Sequence, residues 1–131
     1  MFSYTFPYLK HEEYYIPSIP VRLMLGGIWQ RVLAYVDSGA AYSIFDSVIM
    51  TSLQLPYQKA QRVSVLVGDG NLLPVYLHRL RVSIGEESFF APIGFSDKLR
   101  IGFNLLGRAG IFNRFDITFS DSKKLITFTK G

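Results

Sequence analysis

An acidic side chain follows a long apolar stretch near the middle of the first half of the sequence. The run from Ile28 to Val36 is mostly apolar, and Asp37-Ser38-Gly39-Ala40 comes directly after it. A buried strand that ends in this way places a carboxylate at a sharp turn, where Ser38 can brace the turn and Gly39 permits close backbone approach. Asp37 is therefore the first candidate for a chemical role, although Asp-Ser-Gly alone is also an ordinary Asx turn.

A second distinctive segment lies far downstream. It reads Asn104-Leu105-Leu106-Gly107-Arg108 and leads into a strand with regularly spaced aromatic residues that ends at Phe119. Two apolar residues and a glycine would let this strand pass tightly behind the Asp37 turn without a side-chain clash. Taken alone, the pattern is equally that of a core strand ending in a turn glycine.

The elements that must position these segments are predicted to be mostly strands. Apolar residues alternate with polar ones in many short stretches, as at Val21, Leu23 and Leu25. Turns that contain glycine separate the stretches, at Gly26-Gly27, at Gly68-Asp69-Gly70-Asn71 and at Gly85. The best helix candidate begins with Asp46 as its N-cap and ends at Pro56. The pattern predicts an all-β barrel or sandwich with one or two small helices.

Composition narrows the function classes further. The chain has 131 residues, of which 49% are apolar and 18% charged, and it contains no cysteine and only 2 histidines. This length suits one domain. The absence of cysteine excludes a disulfide framework, a thiolate nucleophile and a Cys-ligated zinc ion, and a histidine-rich metal site is excluded as well. With neither an apolar stretch of membrane-spanning length nor a signal pattern at the start, we expect a cytoplasmic protein without a membrane partner.

The formal charge of +4 raises the question of a nucleic-acid partner. Lys and Arg residues are scattered along the chain without a run of five or more, and no Gly/aromatic RNA-binding pattern occurs among them. Phosphate binding needs a contiguous positive face, which only folding could assemble. We expect a mildly basic surface that aids solubility and no nucleic-acid partner. Trp29 is expected to be a core or interface anchor, and His11 and His78 are expected to be surface or bend residues.

Taken together, the two segments resemble those of the retropepsin-like aspartic proteases, the single-domain relatives of the retroviral proteases. Strand, Asp-Ser-Gly-Ala, short helix, glycine-tipped hairpin and Leu-Leu-Gly-Arg follow in the same order, between residues 19 and 128. The Leu-Leu-Gly-Arg segment is more similar to small cellular and prokaryotic members than to viral ones. The resemblance implies a closed β-barrel with one lobe per chain, formed by residues 19–131, with residues 1–18 as an N-terminal arm or edge strand.

The function implied by the resemblance is that of a homodimeric aspartic endopeptidase. A twofold axis would bring the Asp37 side chains of two chains together, and two carboxylates that close share one proton. One carboxylate would activate a water molecule as general base, while the other acts as acid toward the scissile carbonyl oxygen. Neither a cofactor nor a metal ion is required. The substrate would be an extended peptide or protein.

Further roles come from the same resemblance. Ser38 would tie the two active-site loops together across the dimer, with Gly39 contacting substrate and Ala40 completing the loop. The flap tip would comprise Gly68, Asp69, Gly70 and Asn71. The structural segment behind the site would comprise Leu105, Leu106, Gly107 and Arg108. Apolar residues that could line subsites or belong to the core are Ile44, Leu72, Leu73 and Ile93.

Two departures from the family pattern bear on the dimer and on the pH optimum. In viral members an acidic residue stands where this chain has Ala41, and it pairs with the arginine of the Gly-Arg segment. Arg108 would therefore pair with Asp46 or with a carboxylate of the second chain, or remain solvated. Ala40 has no hydroxyl to stabilise an ionised Asp37, which predicts a moderately acidic optimum. An alternative function is a catalytically weak module that binds peptides in its groove, but a pure binder could do without the Asp-Ser-Gly triplet.

Overall fold

Strands account for most of the computed structural model, which describes residues 2–66, 70–99 and 101–130. The strands are β1 (Phe2–Pro7), β2 (Leu9–His11), β3 (Tyr14–Ile16), β4 (Ser18–Leu25), β5 (Ile28–Val36), β6 (Ser43–Asp46), β7 (Gln61–Leu66), β8 (Leu72–Ile84), β9 (Glu87–Ser96), β10 (Leu105–Leu106), β11 (Asp116–Ser120) and β12 (Leu125–Lys130). Helical structure in these ranges comprises α1 (Val48–Thr51) and a kinked turn at Arg108–Phe112. The all-β prediction with few short helices is confirmed. Within the same ranges, no helix has the length and apolarity needed to cross a membrane.

The largest sheet surrounds the main hydrophobic core. Its strand order is β4-β5-β10-β6-β9-β8-β7. A short pairing of β4 with β8 joins every strand of this order except β7 into a ring. The alternation predicted for β4 places Val21, Leu23 and Leu25 inside this ring, at 1%, 0% and 3% exposure. A closed barrel, which the resemblance implies, stays a prediction.

The two ends of the described chain meet in a separate three-stranded sheet of order β1-β12-β11. β1 pairs antiparallel with β12 from Phe2↔Lys130 to Pro7↔Leu125. The inward side chains of β12, Ile126 and Phe128, are fully buried in the core. β1 is an edge strand of this sheet, and β2 and β3 form a small hairpin after it. A division of the chain after residue 18 stays a prediction.

The helix after the Asp37 turn is shorter than the sequence predicts. α1 has only four residues, and its N-cap is Ser47 rather than Asp46. The Asp46 carboxylate still accepts a hydrogen bond at the start of this helix, from the Val48 backbone N–H at 2.9 Å. Gln54 has a left-handed backbone conformation, with φ of 58°, which ends the helical path before Pro56.

Candidate active site

Parallel pairing of two short stretches brings the two distinctive sequence segments together. Leu105 and Leu106 of β10 pair in parallel with Tyr35 and Val36 of β5. Immediately after this pairing, the Asp37 backbone N–H donates to the Leu106 carbonyl oxygen at 3.0 Å. Asp37 therefore leaves β5 at the place where the Leu-Leu-Gly-Arg segment passes beside it.

The carboxylate of Asp37 is held by its own turn. The Gly39 backbone N–H donates to Asp37 Oδ1 at 2.8 Å, and the Ala40 backbone N–H donates to the Asp37 carbonyl oxygen at 3.2 Å. Across the described residues, Asp37 Oδ2 accepts no hydrogen bond. Asp37 and Ala40 are half-buried, while Ser38 and Gly39 are exposed. One carboxylate oxygen is thus oriented by the backbone and the other is available to a ligand.

Gly107 permits the close contact between the segments. The Arg108 and Ala109 backbone N–H groups donate to the carbonyl oxygens of Ala40 and Ala41, both at 2.9 Å. A Cβ added at Gly107 would lie 2.8 Å from the Ala40 carbonyl oxygen and would also overlap the carbonyl group of Tyr42. Since these neighbours are backbone atoms, a side chain at this position would displace the Asp37 turn.

Two polar side chains that the sequence analysis did not assign also fasten the site. Ser43 is fully buried, and its Oγ accepts a hydrogen bond from the Gly107 backbone N–H at 2.9 Å. Asn104 accepts from the Asp46 backbone N–H at 2.9 Å and donates to the Leu33 carbonyl oxygen at 3.0 Å. The sequence holds a signal for both residues, because Ser43 begins β6 and Asn104 directly precedes β10, the two short strands beside the Asp37 turn.

Arg108 does not pair with Asp46. Its guanidinium reaches the Ser38 carbonyl oxygen, at 3.4 Å from Nη1, and the described residues contain no ion pair between Arg108 and Asp46. The Asp46 carboxylate instead accepts from the Val48 N–H. Arg108 is exposed and lies against the Asp37 turn.

The hairpin formed by β7 and β8 carries the predicted flap tip. Gly68 and Asp69 lie outside the described residues. Gly70 has a left-handed backbone, with φ of 85°, and Asn71 is exposed. Beside the tip, Leu66 and Leu72 oppose each other across the hairpin and are 69% and 66% exposed.

The inward face of this hairpin packs against the strand that follows the Asp37 turn. Leu73 and Val75 form a buried cluster with Ile44 of β6. Ile44, Leu73 and Ile93 are therefore core residues in the single chain, whereas Leu72 projects outward. Of the four apolar subsite candidates, Leu72 alone offers a side chain to a ligand.

The two histidines have structural contacts. His11 is exposed and packs against the Phe103 ring, and His78 Nε2 lies 2.6 Å from the Tyr57 carbonyl oxygen. Nowhere in the described ranges do three or more His, Asp or Glu side chains cluster as metal ligands would.

The fold is similar to that of solved aspartic proteases. A retropepsin-like aspartic protease from Rickettsia conorii superposes with a TM-score of 0.66 at 16% identity, covering 96% of this chain and 89% of that one. EIAV protease in complex with the inhibitor HBY-793 gives a TM-score of 0.58 at 15% identity, covering 76% of this chain and 88% of that one. No protein-family model and no curated protein sequence matches the chain. The chain therefore has a retropepsin-like fold.

Proposed function

We propose that this protein is a homodimeric aspartic endopeptidase whose two Asp37 carboxylates, one from each chain, activate the attacking water. The observation that carries the proposal is the Asp37 turn itself. The Gly39 backbone N–H donates to one carboxylate oxygen, and the Leu106 carbonyl oxygen and the Arg108 backbone N–H hydrogen-bond to the turn from behind. This arrangement lies in a fold shared with aspartic proteases.

A second copy of the chain is needed because the single chain supplies half of an acid–base pair. Hydrolysis by this chemistry requires one carboxylate to take a proton from water while another gives a proton to the carbonyl oxygen. The described chain holds one Asp37 turn, and its exposed Ser38 and Gly39 flank the carboxylate. A twofold axis beside this turn would pair the same surface with itself, as isologous dimers do.

Proton sharing gives the pair its two roles. Two adjacent carboxylates cannot both ionise without strong repulsion, so the dyad carries one proton and titrates as a unit. The ionised member accepts a proton from water as oxygen attacks the peptide carbonyl carbon. The protonated member donates to the carbonyl oxygen, and a proton then passes to the leaving amine as the C–N bond breaks.

The β7–β8 hairpin would hold the substrate over this pair. An extended peptide can add to exposed strand edges through its main chain, and a hairpin lid excludes water from the reaction. Gly68, Asp69, Gly70 and Asn71 would form the tip of this lid. The exposed Leu66 and Leu72 side chains beside the tip suit apolar side chains of a substrate or of a second hairpin.

A moderately acidic pH optimum follows from the same site. Cleavage requires one proton on the dyad, so the rate should fall both at low pH and at high pH. Ala40 supplies no hydroxyl to stabilise the ionised form of the neighbouring Asp37. An activity maximum below about pH 3.5 would contradict this expectation.

Cleavage of a mixed peptide library across about pH 3–8 tests the proposal. Wild type is compared with Asp37→Asn, and with Asp97→Asn as a matched control at an exposed loop position. We expect wild type and Asp97→Asn to cut the same bonds, and Asp37→Asn to cut none. Specific activity of wild type should rise with protein concentration in the dilute range, because dimers form by mass action.

Equal cleavage by Asp37→Asn and wild type would overturn the proposal. So would the absence of any cleavage by a wild-type protein that sedimentation shows to be a folded dimer. In that second case the groove and hairpin would belong to a peptide-binding module with little or no catalytic activity.

A further inference from the structure

The outward face of four neighbouring strands gathers arginines that are far apart in sequence. Directly paired residues in adjacent strands project to the same face of a sheet. Arg22 of β4 pairs with Arg31 of β5 and with Ser83 of β8. Arg81 and Arg79 of β8 pair with Phe90 and Pro92 of β9. We call this surface, together with its continuation described below, the basic face.

Aromatic rings alternate with guanidinium groups along the basic face. The guanidinium carbons of Arg22 and Arg81 lie 5.4 Å and 5.7 Å from the centre of the Trp29 ring. Arg81 and Arg79 lie 6.0 Å and 5.4 Å from the centre of the Phe90 ring. The contacts therefore form a continuous ladder, Arg22–Trp29–Arg81–Phe90–Arg79, across strands β5, β4, β8 and β9.

Serine hydroxyls fix two of these arginines in place. Arg22 Nη2 donates to Ser83 Oγ at 2.9 Å, and Arg81 Nη2 donates to Ser88 Oγ at 3.1 Å. Each guanidinium carries five N–H donors, so most remain available after one such bond. An arginine that is already oriented loses less side-chain entropy when it binds a phosphate.

A cationic groove of about 550 Å³ continues the basic face beyond Phe90. Its lining includes Arg79, Arg114 and Lys130, together with Phe90. Lys130 pairs with Glu87 at 2.7 Å. Elsewhere on this face, within the described residues, the arginines have no carboxylate within ion-pair distance. The positive charge of the face is therefore largely uncompensated by the protein.

The chemistry of this face fits a single-stranded nucleic acid better than a duplex. Four strands span about 15 Å, a width across which a flexible backbone can lie, whereas reading a duplex needs an element that enters a groove. Phe90 is 49% exposed and offers part of its ring to an unpaired base. Arginine donors bind phosphate, and exposed aromatic rings stack on bases of any sequence.

We propose that the basic face binds single-stranded nucleic acid, through phosphate contacts from its arginines and base stacking on the exposed Phe90 ring. This differs from the sequence-based expectation of no nucleic-acid partner, because the scattered arginines are brought together by folding. It also goes beyond the proposed peptidase. Arg31 precedes Asp37 by a stretch of β5 that measures about 20 Å, so the two sites are separate along this strand.

The test uses a fluorescein-labelled oligothymidylate of about 12 nucleotides, within the usual footprint of single-strand binders. Binding to the full chain is followed by probe anisotropy, and independently by the emission of Trp29, the chain's single tryptophan. We expect binding at about 50 mM salt that weakens steeply by about 200 mM, with quenching of Trp29 emission.

A charge-matched pair of triple variants makes the test specific. One carries Arg22→Gln, Arg79→Gln and Arg81→Gln; the control carries Lys10→Gln, Lys59→Gln and Lys123→Gln, at exposed positions elsewhere. The first should bind at least about tenfold more weakly and lower the slope of log affinity against log salt by about 2, while the control stays close to wild type. Cooperative thermal unfolding of both variants excludes misfolding as the cause.

A single variant separates stacking from charge. Phe90→Ala should weaken binding by about tenfold without changing the salt slope, because it removes a stacking surface and no phosphate contact. The proposal is overturned if the two triple variants weaken binding equally, since net charge alone would then explain it. It is also overturned if the basic face binds vesicles containing phosphatidylserine but not the oligonucleotide.

Discussion

The two ends of strand β5 carry surfaces of very different construction. At its C-terminal end, Asp37 is held by backbone hydrogen bonds from Gly39 and to Leu106, and by the close passage of Gly107. Near its N-terminal end, Trp29 and Arg31 belong to a face whose other members come singly from separate strands. The first surface is built from main chain and the second from side chains.

This difference explains why one surface can be detected in the sequence and the other cannot. A site made from main-chain contacts needs residues in consecutive runs, because only a short list of residues tolerates each turn and close approach. A site made from outward side chains needs one residue here and another far along the chain. Strand pairing alone determines that these residues become neighbours.

The largest expected effect separates the two surfaces functionally. Asp37→Asn should lower peptide cleavage by about 100-fold or more, because the homodimer of this variant has lost both carboxylates of the dyad, while oligonucleotide affinity stays unchanged. The triple replacement of Arg22, Arg79 and Arg81 by Gln should weaken oligonucleotide binding and leave peptide cleavage unchanged. Both variants are assayed for cleavage and for anisotropy. Loss of both activities in either variant would mean that the surfaces are not independent.

A smaller effect tests the main-chain construction of the Asp37 end. Gly107→Ala should lower the free energy of unfolding by about 3 kcal/mol or more, because the new methyl group meets the carbonyl groups of Ala40 and Tyr42. Gly102→Ala is the control, since its φ of 84° costs strain but its Cβ meets nothing within 4 Å. Urea unfolding measures both. Equal destabilisation would show that the close passage at Gly107 is unimportant.

Removing one hydrogen bond at the same end should cost less. Ser43→Ala leaves the buried Gly107 N–H without its acceptor, which should lower the free energy of unfolding by about 1–3 kcal/mol. Ser64→Ala, at an exposed position on β7, should change it very little. If the two variants unfold at the same urea concentration, the Ser43 contact does not stabilise the site.

The smallest expected effect is a change of stability with pH at Tyr8, a residue outside both surfaces. The Tyr8 hydroxyl donates to Asp121 Oδ1 at 2.7 Å, and burial together with this bond raises the pKa of Tyr8 to about 12. Because that pKa exceeds the usual value of 10, its contribution to stability is complete below about pH 10 and declines as the pH rises toward 12.

Unfolding measured between about pH 9 and pH 11 checks this sign. Wild type should lose more stability over the interval than Tyr8→Phe, whereas Tyr14→Phe, at a 71% exposed position, should behave as wild type does. The same slope in wild type and Tyr8→Phe would remove Tyr8 from the alkaline response.

The sequence predicted the fold and the segments that lie beside Asp37, but not the hydrogen-bond and ion-pair partners of individual side chains. The passage of the Leu105-Leu106-Gly107 segment behind the Asp37 turn was predicted, because two apolar residues and a glycine permit this close approach without a side-chain clash. The N-cap assignment of Asp46 was displaced by one residue, and the candidate Arg108–Asp46 pair does not form. Both outcomes concern the Asp46 carboxylate, which accepts a hydrogen bond from the Val48 backbone N–H, and this partner depends on distances rather than on residue order.

Mixing active and inactive chains tests the central claim of a shared dyad most directly. Wild type and Asp37→Asn are unfolded together in chosen proportions, refolded, and assayed for cleavage of one peptide from the library. If every active site needs Asp37 from both chains, an equal mixture should retain about one quarter of the wild-type activity, since only dimers of two wild-type chains cut. Retention of about half would mean that each chain works alone, and would contradict the shared dyad.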